Sequence, residues 1–219
     1  MEDPRAILLL SGGIDSTTLL AQLTREGREV HALSFHYGQR HEIELELAAR
    51  NAARYQVRAH HLIHLDNSLF RQKSSLTNPA LETSTYPGTD LPLGVVAEVV
   101  PARNLIFLAQ AVSYAETLGC TDIYAAFNRD DSQNFPDCRP AFIRALNRSL
   151  RAQSSQPRPP QVLTPLIALR KAGVVALAMQ MQVDLSQTLS CYQPRGYEPC
   201  GRCLSCRVRE QALKTWKNP

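Results

Sequence analysis

The period of apolar and polar positions changes along the chain, and each change marks an element. Ala6 to Leu10, AILLL, is a short continuous apolar run of the kind a buried parallel strand makes. Thr17 to Gly27, TTLLAQLTREG, switches to helical spacing and closes on glycine, which predicts a helix with its C-terminal cap. Glu29 to Tyr37 then predicts a second strand, Glu44 to Gln56 an amphipathic helix and Val57 to Leu65 a third strand. Further on, Asn104 to Gly119 predicts a helix capped by Asn104 and closed by Gly119. Thr121 to Phe127 reads as a strand, and Pro140 to Ala152 and Arg170 to Gln182 as helices. Strands alternating with helices predict an α/β fold, a doubly wound parallel sheet with helices on both faces.

Two stretches break the pattern. Asp66 to Glu98 is rich in Ser, Thr, Pro and Asn and keeps no period; a connection of that length predicts a functional lid or a disordered segment. Gln153 to Gln161 carries three prolines and reads as an extended linker. The chain of 219 residues supports one sizeable core. Residues 1–185 form the α/β unit in this reading, and 186–219 a cysteine-bearing segment packed on it.

Charge narrows the partners. The balance is 24 basic against 20 acidic residues, net +4, and the only lysines are Lys73, Lys171, Lys214 and Lys217. No basic stripe or tail of the nucleic-acid-binding kind follows from this. The apolar run near the N-terminus is too short for a signal peptide, and no stretch approaches a membrane span, so the expected location is the cytoplasm. Four of the six cysteines crowd into the end of the chain, which in a reducing compartment points to metal.

The candidate chemistry starts at Ser11-Gly12-Gly13-Ile14-Asp15-Ser16, directly after the first strand. Backbone N–H groups at a helix N-terminus lack partners and favour an anion, and glycines let the backbone close on a phosphate. Ser11, Ser16 and Thr17 add hydroxyl donors, and Asp15 a carboxylate for the magnesium side. No Gly-Lys-Ser/Thr follows, so this is not a Walker A loop, nor is it the GxGxxG fingerprint. Tyr37-Gly38-Gln39-Arg40-His41 ends the second strand, where open parallel sheets bind ligands. Tyr37 suits stacking on a flat heterocycle, with Gln39, Arg40 and His41 for its polar edges. Arg103 offers a two-pronged donor for carboxylate or phosphate, with Asn104 beside it. Cys191, Cys200, Cys203 and Cys206 follow C-x8-C-x2-C-x2-C, a spacing that closes a tetrahedral, structural Zn²⁺ site; disulfides or an iron–sulfur cluster are the competing readings. His60, His61 and His64 lack a completing carboxylate or cysteine and read as structural.

SGGIDS resembles the pyrophosphate loop of the N-type ATP pyrophosphatases. Together with SFHYGQRH, VPARN, PDCRP, TPLI and TLSCY followed by CGRCLSCR, in that order, the chain resembles the 7-cyano-7-deazaguanine synthase family of the queuosine pathway. The resemblance implies ATP with Mg²⁺, adenylation of the carboxylate of 7-carboxy-7-deazaguanine, and ammonia converting it through the amide to the nitrile. It implies catalytic roles for Asp15, Ser16, Arg103 and Lys171, the last near the ATP phosphates, and a homodimer. For a guanine-like ring it makes Asp131 or Asp137 the acceptor of ring N–H and exocyclic amine, and Arg139 a partner of the 7-carboxylate. His36, Leu105, Leu189, Arg170 and Gly173 depart from the family pattern, as does the loop from Asp131 to Phe135. These departures lie on the substrate side and leave open a larger amine, for example on a protein, as acceptor. A non-catalytic zinc-containing nucleic-acid-binding module is a further alternative, against which the intact SGGIDS stands.

Overall fold

The computed structural model describes residues 3–68, 70–86 and 96–217. Its element order is β1 (Arg5–Leu9), α1 (Ile14–Arg25), β2 (Glu29–His36), α2 (Ile43–Arg54), β3 (Ala59–His64), α3 (Arg103–Leu118), β4 (Asp122–Tyr124), α4 (Asp131–Asn134), α5 (Pro140–Gln153), β5 (Gln161–Leu163), α6 (Lys171–Gln180) and α7 (Leu204–Lys217). The described strands form one parallel sheet in the order β3-β2-β1-β4-β5. Ile7 of β1 aligns with His31 on one side and Ile123 on the other, so β1 lies at the centre.

Alternation along β1 explains the two layers of helices. Ile7 and Leu9 pack with Leu108, Ala111 and Val112 of α3 and Ile143 of α5. Ala6 and Leu8 face the other way, onto Leu19 and Leu23 of α1, Ala48 of α2 and Val174 of α6. Both faces of the central strand are buried, which is why its sequence is a continuous apolar run rather than an alternating one. Chain order reverses between β1 and β4, and a crevice opens at their carboxyl ends.

The doubly wound sheet agrees with the pattern of the sequence, and most element bounds lie within three residues of those expected. Helix α1 begins at Ile14, not Thr17, because the glycine turn leads straight into it: Gly13 is its N-cap, in extended geometry, and no side chain caps it. Gly119 closes α3 in the left-handed region. The expected cap at Asn104 is corrected: α3 starts at Arg103 after left-handed Ala102, and the Asn104 N–H donates to Asp137 Oδ2 at 3.2 Å. Strand β5 and helix α7 were not foreseen. β5 is three residues long and opens at Gln161, the end of the expected linker. α7 sets Ala212 and Leu213 against Val175 and Ala178 of α6 and Ile14 and Ala21 of α1.

Residues 69 and 87–95 of the expected lid lie outside the described residues. Its described parts are pinned: the Arg40 N–H donates to Leu76 O (2.9 Å), Ser75 N–H to Ala97 O (3.0 Å) and Tyr86 N–H to Arg202 O (3.0 Å). Among the described residues, no helix is long and apolar enough to cross a membrane.

Gly12 sits at φ +75°, and a Cβ there would lie 2.3 Å from Glu44 O and 2.8 Å from Ala48 N in α2. Gly27, at φ +76°, has open space. Gly27→Ala therefore costs about 1–2 kcal/mol of backbone strain alone, and Gly12→Ala about 2–5 kcal/mol, since the added methyl must also push α2 away. Urea unfolding of the two variants checks this; equal losses would contradict it.

Candidate active site

The crevice at the carboxyl ends of β1, β2 and β4 is a cleft of about 240 Å³. One end is the glycine turn. Ser11, Gly13, Asp15 and Ser16 line it. Ser16 Oγ lies 3.1 Å from Ser11 Oγ and accepts the Ser11 N–H at 3.2 Å, and the Gly13 N–H donates to Ser11 Oγ at 3.3 Å. Lys171, the first residue of α6, buries its ammonium against the Asp15 carboxylate. Burial by itself would lower the Lys171 ammonium, but Asp15 and Asp131 outweigh it and its pKa moves up. A permanent positive charge thus stands beside the N-terminus of α1.

Asn128 organises this end from the loop after β4. Its Nδ2 donates to Asp15 Oδ1 (3.3 Å), its N–H to Asp131 Oδ2 (3.3 Å), and its Oδ1 accepts the N–H groups of Asp130 (2.9 Å) and Asp131 (3.1 Å). Asp130 in turn accepts the Lys171 N–H at 2.8 Å. Burial, partly offset by Lys171, raises Asp131 to about 6. Asp131 therefore stands on the phosphate side of the cleft with Asp15, where two carboxylates against one lysine suit a divalent cation.

The other end is aromatic and cationic. Phe35 of β2 stacks on Phe107 of α3 with centroids 4.1 Å apart and planes 7° from parallel, and Tyr37 lies 5.5 Å from Phe107. Arg103 holds its guanidinium 5.7 Å from the Tyr37 ring and donates to the phenol oxygen at 3.3 Å. Its Nε is buried without a partner, and among the described residues no carboxylate pairs with it. Burial raises the Tyr37 phenol to about 12. His41, also buried, falls to about 3 through burial and the Arg103 charge, so its imidazole is neutral.

Ser11, Gly13, Asp15, Ser16, Lys171 and Asp131 thus share one end of the cleft, with Tyr37, His41, Arg103 and Asn104 towards the other. Six expected residues are elsewhere. Gly12 and Thr17 pack inside, Gly12 on α2 and Thr17 fully buried. Gln39 is spent on internal hydrogen bonds, and Arg40 donates to Asn78 O and Leu81 O of the long segment. Asp137 holds the Asn104 N–H, and Arg139 is exposed, donating to Ser132 O at 3.1 Å. Asn128, Phe107 and Glu44, which line or order the cleft, went unnoticed, as did Ser190 and Tyr192. Glu44 follows His41 by three residues, a spacing that puts both on one face of a helical turn and so carried a signal.

The Sγ atoms of Cys191, Cys200, Cys203 and Cys206 lie within 4.8 Å of one another. A tetrahedral Zn–S₄ centre needs S···S separations of about 3.8 Å. Backbone N–H groups of Gln193 and Cys200 donate to Cys191 Sγ (3.3 and 3.2 Å), and the Cys203 N–H donates to Cys200 Sγ at 3.4 Å. Hydrogen bonds from Cys203, Cys206 and those N–H groups hold Cys191 well below the usual thiol range. The donor set fits a metal that wants thiolates. His60 and His61 instead meet Ser34 Oγ (2.8 Å) and Tyr114 Oη (3.0 Å), as expected of structural histidines.

The cluster is joined to the cleft. Leu189 N–H donates to Gly12 O at 3.2 Å, Cys191 lines the cleft, and Arg209 of α7 donates to Leu185 O (2.8 Å), Thr188 O (3.1 Å) and Ser190 Oγ (3.4 Å). Metal analysis of the purified protein should give about one divalent ion per chain. Cys203→Ser should lose it and lower Tm by roughly 5–10 °C. Unchanged metal content and Tm would show that the cysteines serve no metal.

The family described as "Queuosine biosynthesis protein QueC" matches residues 5–217. The 7-cyano-7-deazaguanine synthase of Saccharophagus degradans is 40% identical over 218 residues, covering 98% of this chain and 95% of the relative. That of Anaeromyxobacter sp. is 41% identical over 213 residues, covering 95% and 91%. In fold alone, the chain is similar to a predicted subunit of tRNA methyltransferase from Methanocaldococcus jannaschii, with a TM-score of 0.51 at 20% identity over 80% of this chain and 74% of that one. With nearly its whole length matched, the chain belongs to the QueC family of queuosine biosynthesis proteins.

Proposed function

We propose that this protein is an ATP-dependent carbon–nitrogen ligase that converts 7-carboxy-7-deazaguanine and ammonia, through the amide, to 7-cyano-7-deazaguanine. The observation that carries the reading is one cleft with a phosphate-type turn at one end and, over an aromatic wall at the other, an arginine that pairs with no described carboxylate. The relatives are named for the synthesis of 7-cyano-7-deazaguanine, which supports that compound as the product.

A carboxylate oxygen does not leave as hydroxide at useful rates. In the first round the substrate carboxylate attacks the α-phosphorus of ATP, pyrophosphate leaves, and ammonia displaces AMP to give the amide. In the second the amide oxygen attacks a second ATP, pyrophosphate leaves again, and loss of AMP and protons gives the nitrile. Two ATP are consumed for each nitrile formed.

The chain's own residues position and neutralise rather than form covalent bonds. Ser11, Ser16 and the N–H groups opening α1 cradle the departing pyrophosphate, and Lys171 balances its charge. A magnesium ion held by Asp15 and Asp131 would supply further charge neutralisation there. Arg103 orients the carboxylate, and Phe35, Tyr37 and Phe107 hold the ring and keep water from the adenylate. Zinc on the four cysteines, with every coordination position filled by protein, would be structural.

Incubation with Mg²⁺-ATP, the acid and an ammonium salt should give two AMP and one nitrile, read by mass spectrometry. Arg103→Gln should lower kcat/KM for the acid by about 10²–10³-fold, as loss of an ionic donor at the reacting centre does. Acid-independent AMP release, or an amide that never proceeds, would overturn the reading.

A further inference from the structure

Glu44 is the carboxylate at the aromatic end of the cleft. It belongs to the first turn of α2, yet its side chain is only 15% exposed and lines the cleft instead of facing solvent. Gln39 fixes it. The Gln39 amide is itself locked, accepting the Tyr37 N–H at 2.8 Å and donating to Phe35 O at 2.9 Å, and it also donates to Glu44 Oε1 at 3.1 Å. His41 Nε2 stands 3.5 Å from the same oxygen. The other oxygen, Oε2, receives no hydrogen bond from the described residues and is not sealed in the interior. It is an oriented acceptor with nothing to accept.

The other carboxylates named for a guanine-like ring are accounted for. Asp131 is tied through Asn128 to Asp15 at the phosphate end, and Asp137 holds the start of α3. Arg103 is within electrostatic reach of Glu44 without pairing with it, so a carboxyl group and a guanidinium face the cleft separately, beside the stacked Phe35 and Phe107. A flat ligand with donors on one edge and an anion on another would meet both.

We propose that Glu44 reads the donor edge of the substrate ring, accepting its ring N–H and exocyclic amine while Arg103 takes the carboxylate. The proposal deepens the ligase reading and rests on it for the identity of the ring. A carboxylate suits that edge because two parallel N–H donors match its two oxygens. Burial, only partly offset by Gln39 and Arg103, raises Glu44 to about 8, so the free protein holds it largely protonated, and two ring donors favour its ionised form and release the proton on binding. Gln39, expected to touch substrate, becomes the residue that positions Glu44.

The test compares equilibrium binding of 7-carboxy-7-deazaguanine and its counterpart lacking the exocyclic amine, by calorimetry, alongside turnover. The wild type should bind the amino compound roughly 10- to 100-fold more tightly, the range of a charged hydrogen bond. Glu44→Gln, isosteric and neutral, should weaken the amino compound by that factor, leave the deamino compound within about twofold and leave KM for ATP unchanged. Glu44→Asp, which keeps the charge but draws it back, should give an intermediate loss. Equal losses for both rings, or wild-type affinities that ignore the amine, would overturn the assignment even if turnover proceeds. Discrimination that Glu44→Gln abolishes, without nitrile formation by the wild type, would uphold Glu44 and sink the ligase reading.

Discussion

The site depends on a side chain that is missing. At Gly12 the end of β1 comes so close to α2 that a methyl would overlap Glu44 O, and the Gly12 carbonyl accepts the N–H of Leu189 two residues before the first clustered cysteine. Three segments far apart in sequence, the phosphate turn, the start of α2 and the cysteine-bearing segment, meet on one backbone unit. Close approach of this kind is available only to glycine, and the left-handed φ at the same position adds a second reason for it. The turn, the start of α2 that carries Glu44 and the cysteine cluster are therefore fixed relative to one another by backbone, before any side chain acts.

Charge is then divided along the cleft. Lys171, Asp15 and Asp131 crowd one end, where a divalent cation would offset the excess of carboxylate. At the other end Arg103 pairs with no carboxylate among the described residues, with neutral His41 and Tyr37 around it. A cation that makes no ion pair in a partly closed site is costly, and a bound anion relieves that cost. The free protein stores this imbalance, and the acid substrate would resolve it.

Much of this was legible in the chain. The doubly wound order followed from apolar runs alternating with helical spacing, since a strand buried on both faces cannot alternate. SGGIDS and the four cysteines were readable because glycine turns and thiolate sets impose local spacing. β5 escaped because three residues carry no period, and α7 because its apolar positions, Leu204, Val208 and Ala212, are diluted by charges and cysteines. The division of labour among Asp131, Asp137, Arg139 and Glu44 escaped for a different reason. Which carboxylate faces the aromatic wall is decided by how α2 and α4 sit on the sheet, and a linear motif does not encode that.

The central claim is that ATP activates the substrate's own oxygen, and oxygen tracing tests it most directly. With acid carrying oxygen-18 at both carboxylate positions, each AMP released should carry one labelled oxygen, and the nitrile none. Unlabelled AMP, with pyrophosphate still formed, would mean that ATP is cleaved without adenylating the acid, and would contradict the account.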